Sequence, residues 1–415
     1  MLFSSVIFWA FYSIVIILLQ INYRMIGSVK YQNLLLLVAS YFFYGYWDWR
    51  FLGLIIVVSA QTYICAYCIN NHKATRTLSL GISIFINLAI LFYFKYLGFF
   101  ASELITAFNI SPNYSLENII LPVGISFYIF QSFTYVLDVY SGKLAPEKDP
   151  IKYFAFISFF PQLVAGPIER ASSLLPQFQD LKGIDLQNLY DGIKIIIIGL
   201  FLKVFIADSI APSVDFIFTH YQTYNGGTLL LGAIGFSIQI YGDFAGYSLI
   251  AIGVAKVIGF SLIRNFDTPY FSTSIQEFWR RWHISLSSFF RDYVYIPLGG
   301  SYKSDIQTHK NLLITFTISG LWHGANWTFI LWGVVHGILL IIQRIVPFSL
   351  TRFMGWFATM LSVLLLWILF RSESVTDFFN YISIIISNPG IPEYGKTMVI
   401  FLFYYLLLLL FITLQ

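Results

Sequence analysis

Long hydrophobic runs, separated by short polar stretches, dominate this chain. Residues 2–20, 51–69 and 78–100 are three such runs, and each is close to the ~20 residues that a helix needs to cross a bilayer. Runs of this kind recur along the whole chain, in about ten to thirteen segments judged against that length. The pattern predicts an all-α, polytopic integral membrane protein in which residues 1–415 form a single domain.

Composition and charge support a membrane protein and exclude other classes. The 415 residues are 58% hydrophobic and 11% charged, whereas a soluble domain is typically ~25% charged. The net charge of +4 is small and shows no clustered basic face, so we expect a lipid bilayer and no nucleic acid as partner. The first positive residues, Arg24 and Lys30, follow the first run, which predicts an outside N-terminus and a cytosolic first loop.

Residues 159–178, FFPQLVAGPIERASSLLPQF, interrupt the regular pattern. Pro161, Pro167 and Pro176 break any single helix through this stretch. Irregular backbone at membrane depth persists only where it is buried in protein or lines a watery cavity. We therefore expect a re-entrant or interfacial turn that lines a cavity. An irregular surface loop is the alternative.

Three charged residues lie inside the apolar segment 188–218: Lys203, Asp208 and Asp215. Charges at such positions are costly, so we expect the two aspartates, seven residues apart on one helix face, to pair with Lys203 or to face water. Asp243 lies well inside the next apolar segment. For Asp243, which lies between Gly242 and Gly246, the simpler alternative is a carboxylate that caps the end of a broken helix.

Residues 263–303 form an amphipathic stretch in which aromatic and cationic side chains alternate. Ser274 and Glu277 fit a capping box that opens a helix, and Glu277 can pair with Arg281 at i,i+4 spacing. This pattern is typical of a helix in the membrane interface. Because arginine forks suit phosphate, the stretch also offers candidate binders for an anionic substrate: Arg280, Arg281 and Arg291.

The most informative run has no Asp, Glu, Lys or Arg over the 33 residues between Lys310 and Arg344. As one helix it would be ~50 Å long, against a hydrocarbon core of ~30 Å. We therefore expect it to bend or break, at Gly320 or Gly324, which flank His323. A histidine inside a membrane segment suggests function, although a histidine bonded to a neighbouring carbonyl is the alternative. The chain shows no ligand set that predicts a metal.

Several stretches together resemble a known family. DFAGYS (243–248), EFWRRWHISLSSFFRDYVYIPLGG (277–300) and GLWHGANWTFILWGVVHG (320–337) resemble the membrane-bound O-acyltransferase (MBOAT) superfamily. LPVGISFYIFQSFTYVLDVYSGK (121–143) and FFPQLVAGPIER are similar to its bacterial branch, typified by the alginate O-acetyltransferase membrane protein. The resemblance covers residues 121–337. It implies a helical bundle with re-entrant and interfacial helices around a central tunnel.

The resemblance also implies site residues. His323 matches the catalytic histidine of the WHG motif, and His283 matches the second histidine position. Transfer to a hydroxyl needs a base that works near neutral pH, as histidine does. On a continuous helix Asn326 would share a face with His323 and could orient the imidazole or donate to an oxyanion. His336 would face away on the same helix, so we expect a structural role for it.

The family further implies a reaction and its partners. Acetyl-CoA is the expected donor, with Arg280, Arg281 and Arg291 as candidates to hold its phosphates. The expected acceptor is an extracytoplasmic polysaccharide, alginate-like or another glycan, or peptidoglycan. The acetyl group would reach it through an SGNH, esterase-like acetyltransferase partner outside the bacterial cytoplasmic membrane.

Two alternatives remain. Teichoic-acid D-alanylation proteins share the RWHISLS and WHG motifs, and broken charged segments also suit a polytopic glycan transporter or flippase. Separately, the last apolar run ends at Gln415 without a charged or aromatic flank, which predicts that the natural chain continues.

Overall fold

The computed structural model describes residues 1–109, 119–346, 351–393, 400, 403, 404, 406 and 407. These residues form helices, turns and loops, and there is no strand among them. The hydrophobic segment expected at 398–415 falls mostly outside the described residues. Among the described residues, six helical stretches are long and apolar enough to cross a membrane: Val6–Ile26, Val29–Asn71, Lys73–Phe108, Gly226–Val257, Trp327–Ile345 and Arg352–Arg371. The expected all-α, multi-pass architecture is confirmed.

Seventeen α-helices occur in the described part of the chain. They are α1 Val6–Ile21, α2 Val29–Asp48, α3 Leu52–Asn71, α4 Arg76–Leu91, α5 Leu97–Phe108, α6 Ile125–Tyr140, α7 Pro150–Ser158, α8 Ala171–Leu174, α9 Leu186–Leu200, α10 Asp208–Thr219, α11 Gly226–Val257, α12 Ile275–Arg281, α13 Ile284–Phe290, α14 Asp305–His323, α15 Trp327–Ile345, α16 Arg352–Arg371 and α17 Val375–Ser387. The chain divides into two compact units, of residues 1–198 with 247–263 and of residues 199–246 with 264–415.

In the first unit, aromatic side chains of α1 and α2 pack with the start of the irregular stretch 159–170. The rings of Phe11 and Phe160 lie 5.5 Å apart, and those of Phe43 and Phe160 5.9 Å apart. Phe160 and Glu169 are fully buried. Residues 159–170 are thus non-helical, as the prolines predicted, whereas the rest of the predicted stretch forms α8 and a short 3₁₀ helix, Leu175–Gln179. Residues 159–170 lie in the protein interior, so the surface-loop alternative is wrong for them.

Glu169 is a buried acid within this stretch. Its Oε1 accepts a hydrogen bond of 2.6 Å from the backbone N–H of Ile263. Its Oε2 is buried and has no hydrogen-bond partner among the described residues. Burial raises the pKa of Glu169 to about 7, and the Ile263 hydrogen bond opposes the rise.

In the second unit, Lys203 lies in a π-helical segment, Phe201–Ala207, between α9 and α10. Its Nζ is 2.5 Å from Asp208 Oδ1 and 2.7 Å from Asp243 Oδ1. The expected pairing of Lys203 with Asp208 is confirmed, whereas Asp215 pairs with Arg371 instead, at 2.7 Å, and the pairing with Asp243 was not predicted. Helix α11 runs without interruption through Asp243, so the alternative in which Asp243 caps a broken helix end is wrong.

The uncharged run of 33 residues folds into an antiparallel hairpin of α14 and α15. The predicted break lies at Gly324, which follows the end of α14 and has an extended backbone. Gly320 is instead a packing position, where a Cβ atom would overlap the carbonyl oxygen of Phe329. A Cβ atom on Gly333 would likewise overlap the carbonyl oxygen of Phe316. Small residues therefore bring the two backbones together, as is common between membrane helices.

Candidate active site

His323 is the last residue of α14 and lies at the closed end of the hairpin. Its ring is 5.0 Å from that of Trp322, 5.1 Å from that of Trp332 and 5.4 Å from that of Phe370. All three contacts are edge-on. Three elements, α14, α15 and α16, thus surround the imidazole with aromatic rings and hold it at a helix end.

His283 occupies the break between α12 and α13, which the sequence did not predict. Its backbone has φ 43° and ψ 57°, in the left-handed region. Such a conformation costs a non-glycine residue ~1–3 kcal/mol and persists only where the surroundings enforce it. The side chain is 1% exposed, and both ring nitrogens are buried without a hydrogen-bond partner among the described residues. Burial, and to a lesser extent nearby His323, lowers the pKa of His283 well below its ordinary value.

Asn265 stabilises the strained turn at His283 through hydrogen bonds. Its backbone carbonyl accepts a 2.8 Å bond from the N–H of Ile284. Its side-chain Oδ1 accepts bonds from the N–H of Ser285 at 3.2 Å and from the Ser285 hydroxyl at 2.9 Å. The first turn of α13 is thereby tied to a buried residue. No sequence motif pointed to Asn265, because it acts through contacts 19 and 20 residues away.

His323 has two other histidines close to it. His323 interacts electrostatically with both His283 and His336. His336 returns to the cluster because the chain reverses at Gly324, so the expectation that it faces away, made for one straight helix, is wrong. Its Nδ1 accepts a 3.2 Å hydrogen bond from Trp279 Nε1. The structural role expected for His336 stays a prediction.

Asn326 begins α15 rather than continuing α14. Its backbone is extended, and its Oδ1 accepts a 3.0 Å bond from the N–H of Thr328. Its Nδ2 donates a 2.9 Å bond to the carbonyl oxygen of Glu373. The geometric premise of a shared helix face with His323 is therefore wrong. Its role in catalysis stays a prediction.

The amphipathic stretch has the capping that the sequence predicted. Ser274 Oγ accepts the N–H of Glu277 at 3.0 Å, and Arg281 pairs with Glu277 at 2.7 Å. The return bond of the capping box goes one residue earlier than expected, because Glu277 Oε2 accepts the N–H of Thr273 at 2.7 Å.

A cavity of about 1080 Å³ is lined by residues near the two histidines, whereas neither imidazole lines it. Its lining includes Ser319, one helical turn before His323, and Ile284, which directly follows His283. Arg280 and Arg291 also line it, whereas Arg281 does not. Arg291 is held by Asp292, with an N–O distance of 2.7 Å. Among the residues that the structure describes, Arg280 makes no ion pair, so of the three predicted arginines it is the most available to an anion.

Two further arginines line the cavity, Arg344 and Arg352. No motif in the sequence pointed to them, because they lie in other segments and reach the cavity only through the folding of α15 and α16. Within the described ranges, no group of three or more His, Cys, Asp or Glu side chains is arranged to hold a metal ion.

Comparison with known proteins defines the class. The model of MBOAT, the membrane-bound O-acyltransferase family, matches residues 41–384. The chain is 42% identical over 362 residues to a "Probable alginate O-acetylase AlgI" of Azotobacter vinelandii, covering 84% of this chain and 72% of that protein. It therefore belongs to the membrane-bound O-acyltransferase family and is an O-acyltransferase.

More distant relatives differ in what their names say they transfer. A "Peptidoglycan O-acetyltransferase" of Helicobacter pylori is 34% identical, over 87% of this chain and 75% of that protein. A "Teichoic acid D-alanyltransferase" of Bacillus subtilis is 30% identical, over 55% of this chain and 60% of that protein. The resemblance to the MBOAT superfamily that the motifs indicated is confirmed.

Proposed function

We propose that this protein takes an acetyl group from acetyl-CoA in the cytosol and passes it across the bacterial cytoplasmic membrane for O-acetylation of an extracytoplasmic polysaccharide or peptidoglycan. The cavity carries this proposal. Its lining contains the cationic side chains of Arg280 and Arg291, and it also contains Ser319, one helical turn before His323, and Ile284, which follows His283. Its volume of about 1080 Å³ lies at the upper end of the ~300–1,000 Å³ range of small-molecule sites.

The relatives favour acetyl transfer over D-alanyl transfer. Relatives named for O-acetylation match 84% and 87% of this chain, whereas the relative named for D-alanyl transfer matches 55%. Their names support a cell-surface polymer as acceptor and leave open which polymer it is.

In this proposal His323 is the general base. It accepts the proton of an acceptor hydroxyl while the hydroxyl oxygen attacks the thioester carbonyl carbon. The carbon–sulfur bond breaks, the acetyl group stays on the acceptor oxygen, and the proton passes to the departing CoA thiolate. Asn326 contributes by fixing the turn that follows His323. Its side chain bonds the N–H of Thr328 and the carbonyl oxygen of Glu373.

His283 supplies the complementary group. Burial keeps its imidazole neutral near pH 7, and a neutral imidazole carries one N–H donor. With no other partner for that N–H among the described residues, it is available to the oxygen of the thioester carbonyl. Donors aimed at a developing oxyanion are worth ~10²–10³ in rate.

We further propose an SGNH, esterase-like protein outside the membrane as the partner that completes transfer to the polymer. Arg281 has a smaller part in donor binding, because a phosphate would have to displace Glu277 from it.

The proposal is tested with the full chain in vesicles, supplied with acetyl-CoA radiolabelled in the acetyl group. We expect label to accumulate on polymer or on a co-reconstituted partner, and His323→Gln to abolish it. Vesicles that release no CoA and transfer no label, while a D-alanyl thioester donor is consumed, would overturn acetyl transfer and leave the O-acyltransferase class intact.

A further inference from the structure

Arg344 and Arg352 form a second cationic region of the cavity. Arg344 lies in the last turn of α15, and Arg352 is the first residue of α16. Neither belongs to the amphipathic stretch that contains Arg280. Both side chains nevertheless line the same cavity.

Backbone contacts bring these arginines to the start of α12. The N–H of Gln276 donates a 3.2 Å bond to Oε1 of Gln343, the residue before Arg344. A Cβ atom on Gly355, in the same turn as Arg352, would lie 2.7 Å from the carbonyl oxygen of Thr273. The ends of α15 and α16 are thus fixed against one short segment.

The region carries excess positive charge. Four arginines, Arg280, Arg281, Arg344 and Arg352, face two carboxylates. Glu277 pairs with Arg281 at 2.7 Å and also interacts electrostatically with Arg352. Asp305 pairs with Arg344 at 3.1 Å, but its side chain is 78% exposed, and exposed pairs of this kind are weak. An incoming phosphate can therefore replace Asp305 at Arg344.

The distance from the histidines fits the arm of the donor. Arg344 follows Trp332, which touches His323, by 12 residues of α15, which is ~18 Å along the helix axis. In CoA about fifteen bonds separate the sulfur from the second phosphorus, which phosphopantetheine lacks, and this is the length of roughly five extended residues, or ~17 Å. A donor with its thioester near His323 thus places its phosphates at the arginines.

We propose that Arg344 and Arg352 bind the phosphate groups at the nucleotide end of the acyl donor, and that they make the enzyme selective for a CoA thioester over a thioester of pantetheine phosphate alone. This inference rests on the proposed function, in which acetyl-CoA is the donor. Arginine suits the role because its guanidinium group binds phosphate through two parallel hydrogen bonds.

The test compares three donors on the full chain in detergent: acetyl-CoA, acetyl-dephospho-CoA and S-acetyl-4′-phosphopantetheine. We expect Arg344→Gln and Arg352→Gln each to raise KM for acetyl-CoA roughly 10-fold, the scale of one charge-assisted hydrogen bond. KM for acetyl-phosphopantetheine should not change. Arg264→Gln is the matched control, since Arg264 is an exposed arginine that pairs with Asp267 outside the cavity.

The outcomes separate cleanly. Unchanged KM for acetyl-CoA in both glutamine variants, or an equal loss with all three donors, would overturn the subsite. Lysine variants guard against misfolding: we expect Arg344→Lys and Arg352→Lys to fall between the wild-type and the glutamine variants for acetyl-CoA alone. If the unaltered protein turned over none of the donors, the proposed function itself would fail.

Discussion

His323 and His283 are held by opposite means. His323 ends a regular 19-residue helix and is enclosed by rings from three helices. His283 sits between two seven-residue helices in a left-handed conformation, with its ring nitrogens buried. A regular helix end keeps its geometry through local hydrogen bonds, whereas a strained residue keeps it only through its neighbours.

In the proposed function, this difference suits two different roles for the histidines. A base must exchange a proton, and His323 is only half-buried. A hydrogen-bond donor must stay neutral and fixed, and His283 is almost fully buried. We therefore expect substitutions at the two histidines, and at other residues that differ in the same way, to have different effects.

The largest effect is expected at His323. His323→Gln keeps a hydrogen-bonding side chain that cannot take a proton near pH 7, so the transfer rate should fall ~10²–10⁴-fold. The initial rate of acetyl transfer is the measurement. His220→Gln, at an exposed histidine outside the cluster, is the matched control and should retain full activity. A His323→Gln enzyme with a near-wild-type rate and a wild-type melting temperature would make His323 structural.

The next effect concerns His283 and Asn265 together. His283→Ala should lower kcat ~10²–10³-fold as an oxyanion donor is lost. Asn265→Ala should lower kcat at least tenfold with little change in donor KM, because the turn loses the two hydrogen bonds to Ser285. Asn265→Asp retains an oxygen that can accept both bonds and should restore most of the rate.

A double-mutant cycle decides whether Asn265 acts through His283. If it does, Asn265→Ala causes almost no further loss of kcat in the His283→Ala background, although both substitutions lower the melting temperature. Losses of kcat that simply multiply would mean that the two residues act independently.

The adjacent residues Arg280 and Arg281 also differ in how their side chains are held. Arg280 lines the cavity and makes no ion pair within the described residues, whereas Arg281 is paired with Glu277 at 2.7 Å. Arg280→Ala should raise KM for acetyl-CoA roughly 10-fold, and Arg281→Ala should change it by less than about twofold. A larger effect at Arg281 would show that the donor displaces Glu277.

Glycine and alanine should have opposite effects on stability at the two histidines. At His283 the left-handed backbone favours glycine, so His283→Gly should be more stable than His283→Ala by ~1–2 kcal/mol. At His323 the backbone is helical, so His323→Gly should be less stable than His323→Ala by ~0.5–1 kcal/mol. Thermal melts of the four variants measure this. The same sign at both sites would contradict the assigned backbone conformation of His283.

The smallest effect on activity is expected at Glu169, which is buried like His283 but unstrained. Its folded pKa of about 7 lies above its ordinary value of 4.5, so the folded state holds its proton longer than the unfolded state does. Stability should therefore fall as pH rises from about 4.5 to 7 and then level off. Glu169→Gln removes this titration. Its melting temperature should match the wild type near pH 4.5 and exceed it at pH 8. A constant difference would show that Glu169 stays charged.

The motifs predicted the identity of the histidines, and uncharged length predicted the break beside His323. The direction after the break was not predictable, because a glycine permits both a kink and a reversal. That choice decided where Asn326 and His336 lie. The strained backbone of His283 was also not predictable, because the capping signals around Ser274 fit one continuous amphipathic helix equally well. Asn265 and Arg352 reach the site through tertiary contacts, and such contacts produce no periodic pattern in the sequence.

The hairpin of α14 and α15 has a consequence for transport. Asp305 and Arg344 lie together at its open end, and His323 lies 18 residues along α14 from Asp305, a rise of ~27 Å. That distance is close to the ~30 Å thickness of a bilayer's hydrocarbon core. In the proposed reaction, a donor that docks its phosphates at Arg344 extends its arm ~17 Å toward His323, a little more than half of that thickness. The acetyl group then crosses this part of the membrane on the donor itself, and this part of the path needs no alternating access of the kind that a transporter uses.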